Sequence, residues 1–246
     1  MSARKYDALI ASLDEAAHRL TTRVLAEMYT NPFWTERFGD RATTHGRNDG
    51  LYHVSYVIQA LVADDAEVLE RYARWLQQVL TSRGMCTRHL AENFDRLAAA
   101  IDDEPWPERS AAVAMLARAT AALRYQGSEA AALQANANAI ATMAVDALCE
   151  ADPTWLARWG GEDGRARCID EVDYHVQYLA DAIALGTSTV FVQHMRWLAG
   201  FLEKRSIPRV HLRASLDALV PAIAAHAPQA STAAGALLAA ATALLA

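Results

Sequence analysis

The sequence predicts an all-α protein, a tandem duplication of two homologous units of roughly five helices packed with pseudo-two-fold symmetry. Three observations lead there. Glycine and proline are sparse, 11 and 7 in 246 residues, Ala and Leu fill the stretches between them, and no run alternates apolar with β-branched polar residues. Tyr52-His53-Val54-Ser55-Tyr56 recurs as Tyr174-His175-Val176-Gln177-Tyr178, 122 positions later. At that fixed offset the match runs ungapped to the last residue, and about a third of the positions between Tyr52 and Ile101 are identical. Arg74-Trp75-Leu76 falls on Arg196-Trp197-Leu198, His89-Leu90 on His211-Leu212, and Asp95, Leu97 and Ile101 on Asp217, Leu219 and Ile223.

The elements follow in order. Leu9, Leu13, Ala16, Leu20, Val24 and Met28 step by three or four and predict a first helix over 6–29, stopped at Asn31-Pro32. A short aromatic segment (Phe33, Trp34, Phe38) and a polar loop to about Asp49 lead to a second helix over 50–63, which carries the Tyr-His motif. A third helix over 66–83 closes at Gly84, with Val68, Tyr72, Trp75, Leu76 and Val79 as its apolar face. The fourth begins at Thr87 with the seam Leu90, Phe94, Leu97 and Ile101; after the turn 102–107 a fifth covers 108–124. The boundary at Gly127-Ser128 divides a unit of 1–126 from one of 127–246.

The second unit repeats the plan. A helix over 128–149 is followed by Asp152-Pro153-Thr154-Trp155 and Trp159-Gly160, echoes of the first unit's aromatic segment, and by a loop over 161–167. Helices are expected over 170–185, 188–204, 208–225 and 229–246, with Pro221 kinking or shortening the fourth. The stretch 231–246 has no charged side chain, which predicts a helix buried between units or used for self-association into a homo-oligomer.

Composition narrows the function classes. Half the residues are apolar, a fifth are charged, and the net charge is −6 without a basic patch, against nucleic-acid or anionic-membrane partners. Residues 1–20 read as no signal peptide, and Cys86, Cys149 and Cys168 form neither a disulfide framework nor a CxxC site. A cytoplasmic location is expected. P-loop, GxGxxG, GxSxG and His-Glu-x-x-His patterns are absent, as is the pair of Glu-x-x-His motifs that carboxylate-bridged di-iron bundles carry.

The repeated histidines carry the chemistry. An acid stands four residues before each, Asp49 before His53 and Glu171 before His175, placed to orient the imidazole and leave its other nitrogen for a ligand. Tyr52, Tyr56, Trp75 and their counterparts Tyr174, Tyr178 and Trp197 surround them as ligand-binding candidates. His194 stands where the first unit has Tyr72, so the second unit is richer in coordinating groups: Glu171, His175, His194 and His211. The expected function is a sensor or carrier holding a small-molecule or cofactor ligand between helices, with haem or a transition metal leading. The alternatives are a metal- or cofactor-dependent enzyme using His175 and His194, and an interaction or regulatory module whose histidines are structural.

Overall fold

In α1 (Asp7–Met28), Leu9, Leu13, Ala16, Leu20 and Val24 recur on one face, and all five are buried. The computed structural model describes residues 5–127, 129–152, 154 and 161–245. After α1 come α2 (Phe33–Phe38), α3 (Asp40–Ala63), α4 (Glu67–Ser82), α5 (Thr87–Asp102) and α6 (Arg109–Ala122). Then follow α7 (Glu129–Ala151), α8 (Gly161–Ala184), α9 (Thr189–Glu203), α10 (Arg209–His226), a 3-10 turn at Pro228–Ala230 and α11 (Ser231–Thr242). The protein is all-helical, with no strand among the described residues. No described helix is long and apolar enough to cross a membrane.

Two compact units form, Met1–Val79 with His89–Leu123, and Leu80–Arg88 with Arg124–Ala246. In the first, α3 packs along α1 and also against α2 and α6. In the second, α7 lies along α8 and α10, while α11 packs on α8, α9 and α10. Cys86, from the turn between α4 and α5, belongs to the core of the second unit.

Several expectations from the sequence are corrected. The aromatic segment is a helix, α2, so the first unit has six helices rather than five. Residues 40–49, expected as a loop, are the first turns of α3. Gly39 at φ 57° ends α2, and α3 restarts at once with Ala42 inward and Arg41, Thr43, Thr44 and His45 in solvent. A helix turn so largely solvated lacks the apolar stripe that would have revealed it. The stretch 161–167 is likewise helical, the start of α8. Pro221 leaves α10 uninterrupted to His226; it sits on the exposed side, so the carbonyl it deprives of a partner faces water.

The buried face of α4 is Leu69, Tyr72, Ala73, Leu76 and Leu80, whereas Trp75 is 57% exposed. Trp75 lies one turn beyond Arg71, which pairs with Glu67 at 3.0 Å, and so falls on the polar side. The uncharged α11 buries only one stripe, Ala234, Leu238 and Ala241, and turns Thr232, Ala236, Ala239 and Ala240 outward. Its solvent face is made of small side chains, which expose little apolar area and tolerate water without charge. Ser128, Pro153, Trp155, Trp159 and Gly160 lie outside the described residues.

Candidate functional site

In the first unit, Val54, Val57, Ala60 and Leu61 draw α3 into the core and carry His53 in with them, 3% exposed. Its Nδ1 lies 2.7 Å from the Tyr72 hydroxyl in a hydrogen bond. Tyr72 stacks on Tyr56 with centroids 3.8 Å apart, and Phe94 meets the imidazole edge-on at 5.2 Å. Burial pushes His53 down to about 3, so the ring is neutral, and burial also raises the Tyr72 phenol, which keeps its proton. Asp49 is half-buried one turn earlier. Of the two ring nitrogens, Nδ1 is occupied by the Tyr72 hydroxyl and not by a carboxylate.

Thr21, Val24, Leu25, Gly50, His53 and Asn93 line a cavity offering about 10 Å³ to the centre of a water molecule. That is roughly one water, far less than a tetrapyrrole occupies. Of the ligand-binding candidates, Tyr52 and Trp75 point outward, 60% and 57% exposed.

In the second unit, His175 on α8 is also 3% exposed, and burial lowers it to about 4. Its Nδ1 is buried and has no hydrogen-bond partner. The ring facing it is His194, centroids 5.7 Å apart and planes at 61°. His194 stacks on Tyr178 at 3.8 Å and 11°, and Trp197 lies 6.1 Å beyond. Phe201 and then the guanidinium of Arg205 extend this row of rings. Glu171 is exposed by surface area on α8, although desolvation by the protein around it raises its carboxyl to about 7, and Nδ1 of His175 takes no bond from it. Tyr174 is half-buried beneath the Arg88 guanidinium, 4.1 Å above its ring.

The structure thus brings His175 and His194 together and leaves Glu171 outside. Among the described residues, no group of three His, Cys, Asp or Glu side chains is arranged to hold a metal ion. His89 stacks on Phe33 at 4.7 Å, part of the aromatic cover formed by α2, and His211 is half-buried at the start of α10.

Sequence reasoning missed one polar cluster. Asp181 on α8 is fully buried and accepts from the Thr87 backbone N–H at 2.8 Å, the Thr87 hydroxyl at 2.6 Å and the Tyr125 hydroxyl at 2.6 Å. Burial raises its carboxyl to about 6, against the pull of those donors. The adjoining Arg88 pairs with the Asp170 carboxylate and with Asp173 at 2.9 Å. One trace of this was visible: a lone acid inside the apolar run Tyr178 to Leu185.

Comparison with protein-family models, with curated proteins and with solved structures finds no match.

Proposed function

We propose that the chain is a tandem duplication whose two histidine sites have diverged, and that the second binds a first-row transition ion at His175 in a carrier or sensor role. The duplication is supported by helix starts 122 residues apart: Asp7 and Glu129, Glu67 and Thr189, Thr87 and Arg209, Arg109 and Ser231. Positive-φ residues recur in step at Gly39 and Gly161, Asp64 and Gly186, Gly84 and Ser206. Ring geometry recurs as well, 5.8 Å and 64° for His53–Tyr72 against 5.7 Å and 61° for His175–His194.

The observation that carries the ligand is the buried, unpartnered Nδ1 of His175. Buried polar atoms normally find partners, and a neutral imidazole nitrogen is a good donor to a transition ion. In the first unit the same atom is satisfied by Tyr72, so His53 is read as the structural copy. An ion suits the second site better than haem, because His194 lies flat against Tyr178 with no slot between the rings. His194 lies beside it, and no third protein donor is assembled among the described residues, so the remaining positions on the ion would have to be filled from outside the protein.

The test is titration of the purified chain with Co²⁺, Zn²⁺ and haem, followed by absorption and calorimetry. One equivalent of ion should bind, be lost in His175→Gln and persist in His53→Gln. Binding unaffected by His175→Gln, or no ion bound at all, overturns the reading, and a Soret shift dependent on His175 would replace the ion with haem. A second reading, an interaction module, is favoured by the exposed aromatics Tyr52 and Trp75 on one unit. It would show as a partner lost on Trp75→Ser with ion binding unchanged.

A further inference from the structure

We infer that the first unit binds one internal water in the cavity between α1, α3 and α5, where it links Thr21 to His53. Three features of that place point to it. The Thr21 hydroxyl oxygen is buried on α1 and has no hydrogen-bond partner among the protein groups around it. Such an orphan is costly, and in native structures a bound water commonly resolves it. The cavity that Thr21 lines offers about 10 Å³ to a water's centre, close to the room one molecule needs. Gly50 makes that room, since a Cβ there would stand 2.5 Å from Thr21 Cγ2 and 3.2 Å from Oγ1.

The second partner is His53, which also lines the cavity. Its Nδ1 is committed to Tyr72, so the opposite edge of the ring, with Nε2, is left for the water. Tyr72 donates to Nδ1, Nε2–H donates to the water, and the water donates to Thr21 Oγ1. This chain gives the neutral ring a defined tautomer with the proton on Nε2. The side chain of Asn93, whose Nδ2 lies 3.0 Å from Met28 Sδ, adds a third polar wall. Bridging waters of this kind hold about three hydrogen bonds and are part of the fold.

The experiment is a crystal structure of the full chain at a resolution that orders waters, read with Thr21→Val and Thr21→Ser in urea unfolding and long-range ¹⁵N spectra of the histidines. Density within hydrogen-bond distance of Thr21 Oγ1 and His53 Nε2 is expected, with an Nε2–H spectral signature for His53. Thr21→Val, nearly the same shape without the hydroxyl, should lower the unfolding midpoint, and Thr21→Ser, which keeps it, should lower it less. A dry cavity with a midpoint raised or unchanged in Thr21→Val would show an unsatisfied hydroxyl and overturn the inference. An Nδ1–H tautomer for His53 would overturn the proposed direction of the chain even with the water present.

Discussion

Replacing Gly50 by alanine sets two effects of known sign against each other. In a helix interior the change gains about 1 kcal/mol of propensity. At Gly50 the new methyl would stand 2.5 Å from Thr21 Cγ2 and 3.3 Å from its Cβ, in a region where Thr21 is 2% exposed and cannot swing away. Overpacking of this kind costs about 1–3 kcal/mol, so the net change should run from near zero to a loss of about 2 kcal/mol. Gly200 in α9 is the control, because nothing lies within 4 Å of a Cβ built there. Gly200→Ala should therefore raise Tm by about 2–4 °C for a chain of this size. Urea unfolding of both variants, and of Gly50→Ala combined with Thr21→Ser, completes the comparison. Serine lacks the offending Cγ2, so the double variant should recover part of the loss, with a coupling of at least about 0.5 kcal/mol. Stabilisation by Gly50→Ala equal to that by Gly200→Ala, with no coupling to Thr21, would refute the packing argument.

Four further outcomes are expected. His53 and His175 are held neutral, at about 3 and about 4, so each binds a proton only on unfolding below its ordinary range near 6.5, while Asp181 at about 6 binds one more proton folded than unfolded. Between pH 4 and 6 the unfolded chain thus takes up about one net proton from these three groups, and their contribution to stability, measured by urea unfolding, should fall by about 1.4 kcal/mol per pH unit as pH drops. Asp181→Leu removes the acceptor of the Thr87 N–H, the Thr87 hydroxyl and the Tyr125 hydroxyl, leaving the two hydroxyls their 3.2 Å contact with each other, and should cost more than Tyr125→Phe, which should cost about 1–3 kcal/mol, both read from denaturant midpoints. Asp64 and Ser206 end helices at φ 48° and 60°, so Asp64→Gly and Ser206→Gly should each stabilise by up to about 1 kcal/mol in thermal melts. His194→Tyr should bring a hydroxyl to Nδ1 of His175, raise stability by about 1 kcal/mol and abolish ion uptake in calorimetry.

What the sequence made legible was local. The three-and-four spacing of Leu9, Leu13, Leu20 and Val24, and of Leu90, Phe94, Leu97 and Ile101, named residues that prove buried. The repeated motif singled out the two histidines that are 3% exposed. Solvated helix turns such as 40–49 escaped because an exposed turn carries no apolar stripe. Trp75 escaped because a large aromatic was assigned inward by type, although its neighbours Arg71 and Arg74 mark the outer face. Asp181 escaped because its partner Thr87 is 94 residues away, and no local pattern encodes a pairing of that range. Asp49 and Glu171 were assigned to the histidines by helical spacing alone, yet residues four apart share a face only if both side chains turn toward the same neighbour. Here each histidine turns inward, and the ring partner comes from the following helix, Tyr72 in one unit and His194 in the other.

That last contrast concentrates the functional question on one position. Tyr72 and His194 stand at nearly the same distance and angle to His53 and His175, and each stacks at 3.8 Å on the tyrosine three residues after that histidine, Tyr56 and Tyr178. A phenol reaches further than an imidazole from the same backbone, and in the first unit its hydroxyl ends on Nδ1 of His53. Exchanging it for histidine keeps the stack but withdraws the hydroxyl, so Nδ1 of His175 is left without a hydrogen bond in a core that pushes both histidines toward the neutral, metal-binding form. A purely structural site would gain nothing from that exchange, since an orphaned buried nitrogen costs about 1–3 kcal/mol. The second unit carries that cost at His175, which is 3% exposed. The shortfall is therefore where binding of an ion would return free energy, and the same shortfall is absent from the first unit, where the tyrosine has already closed the site.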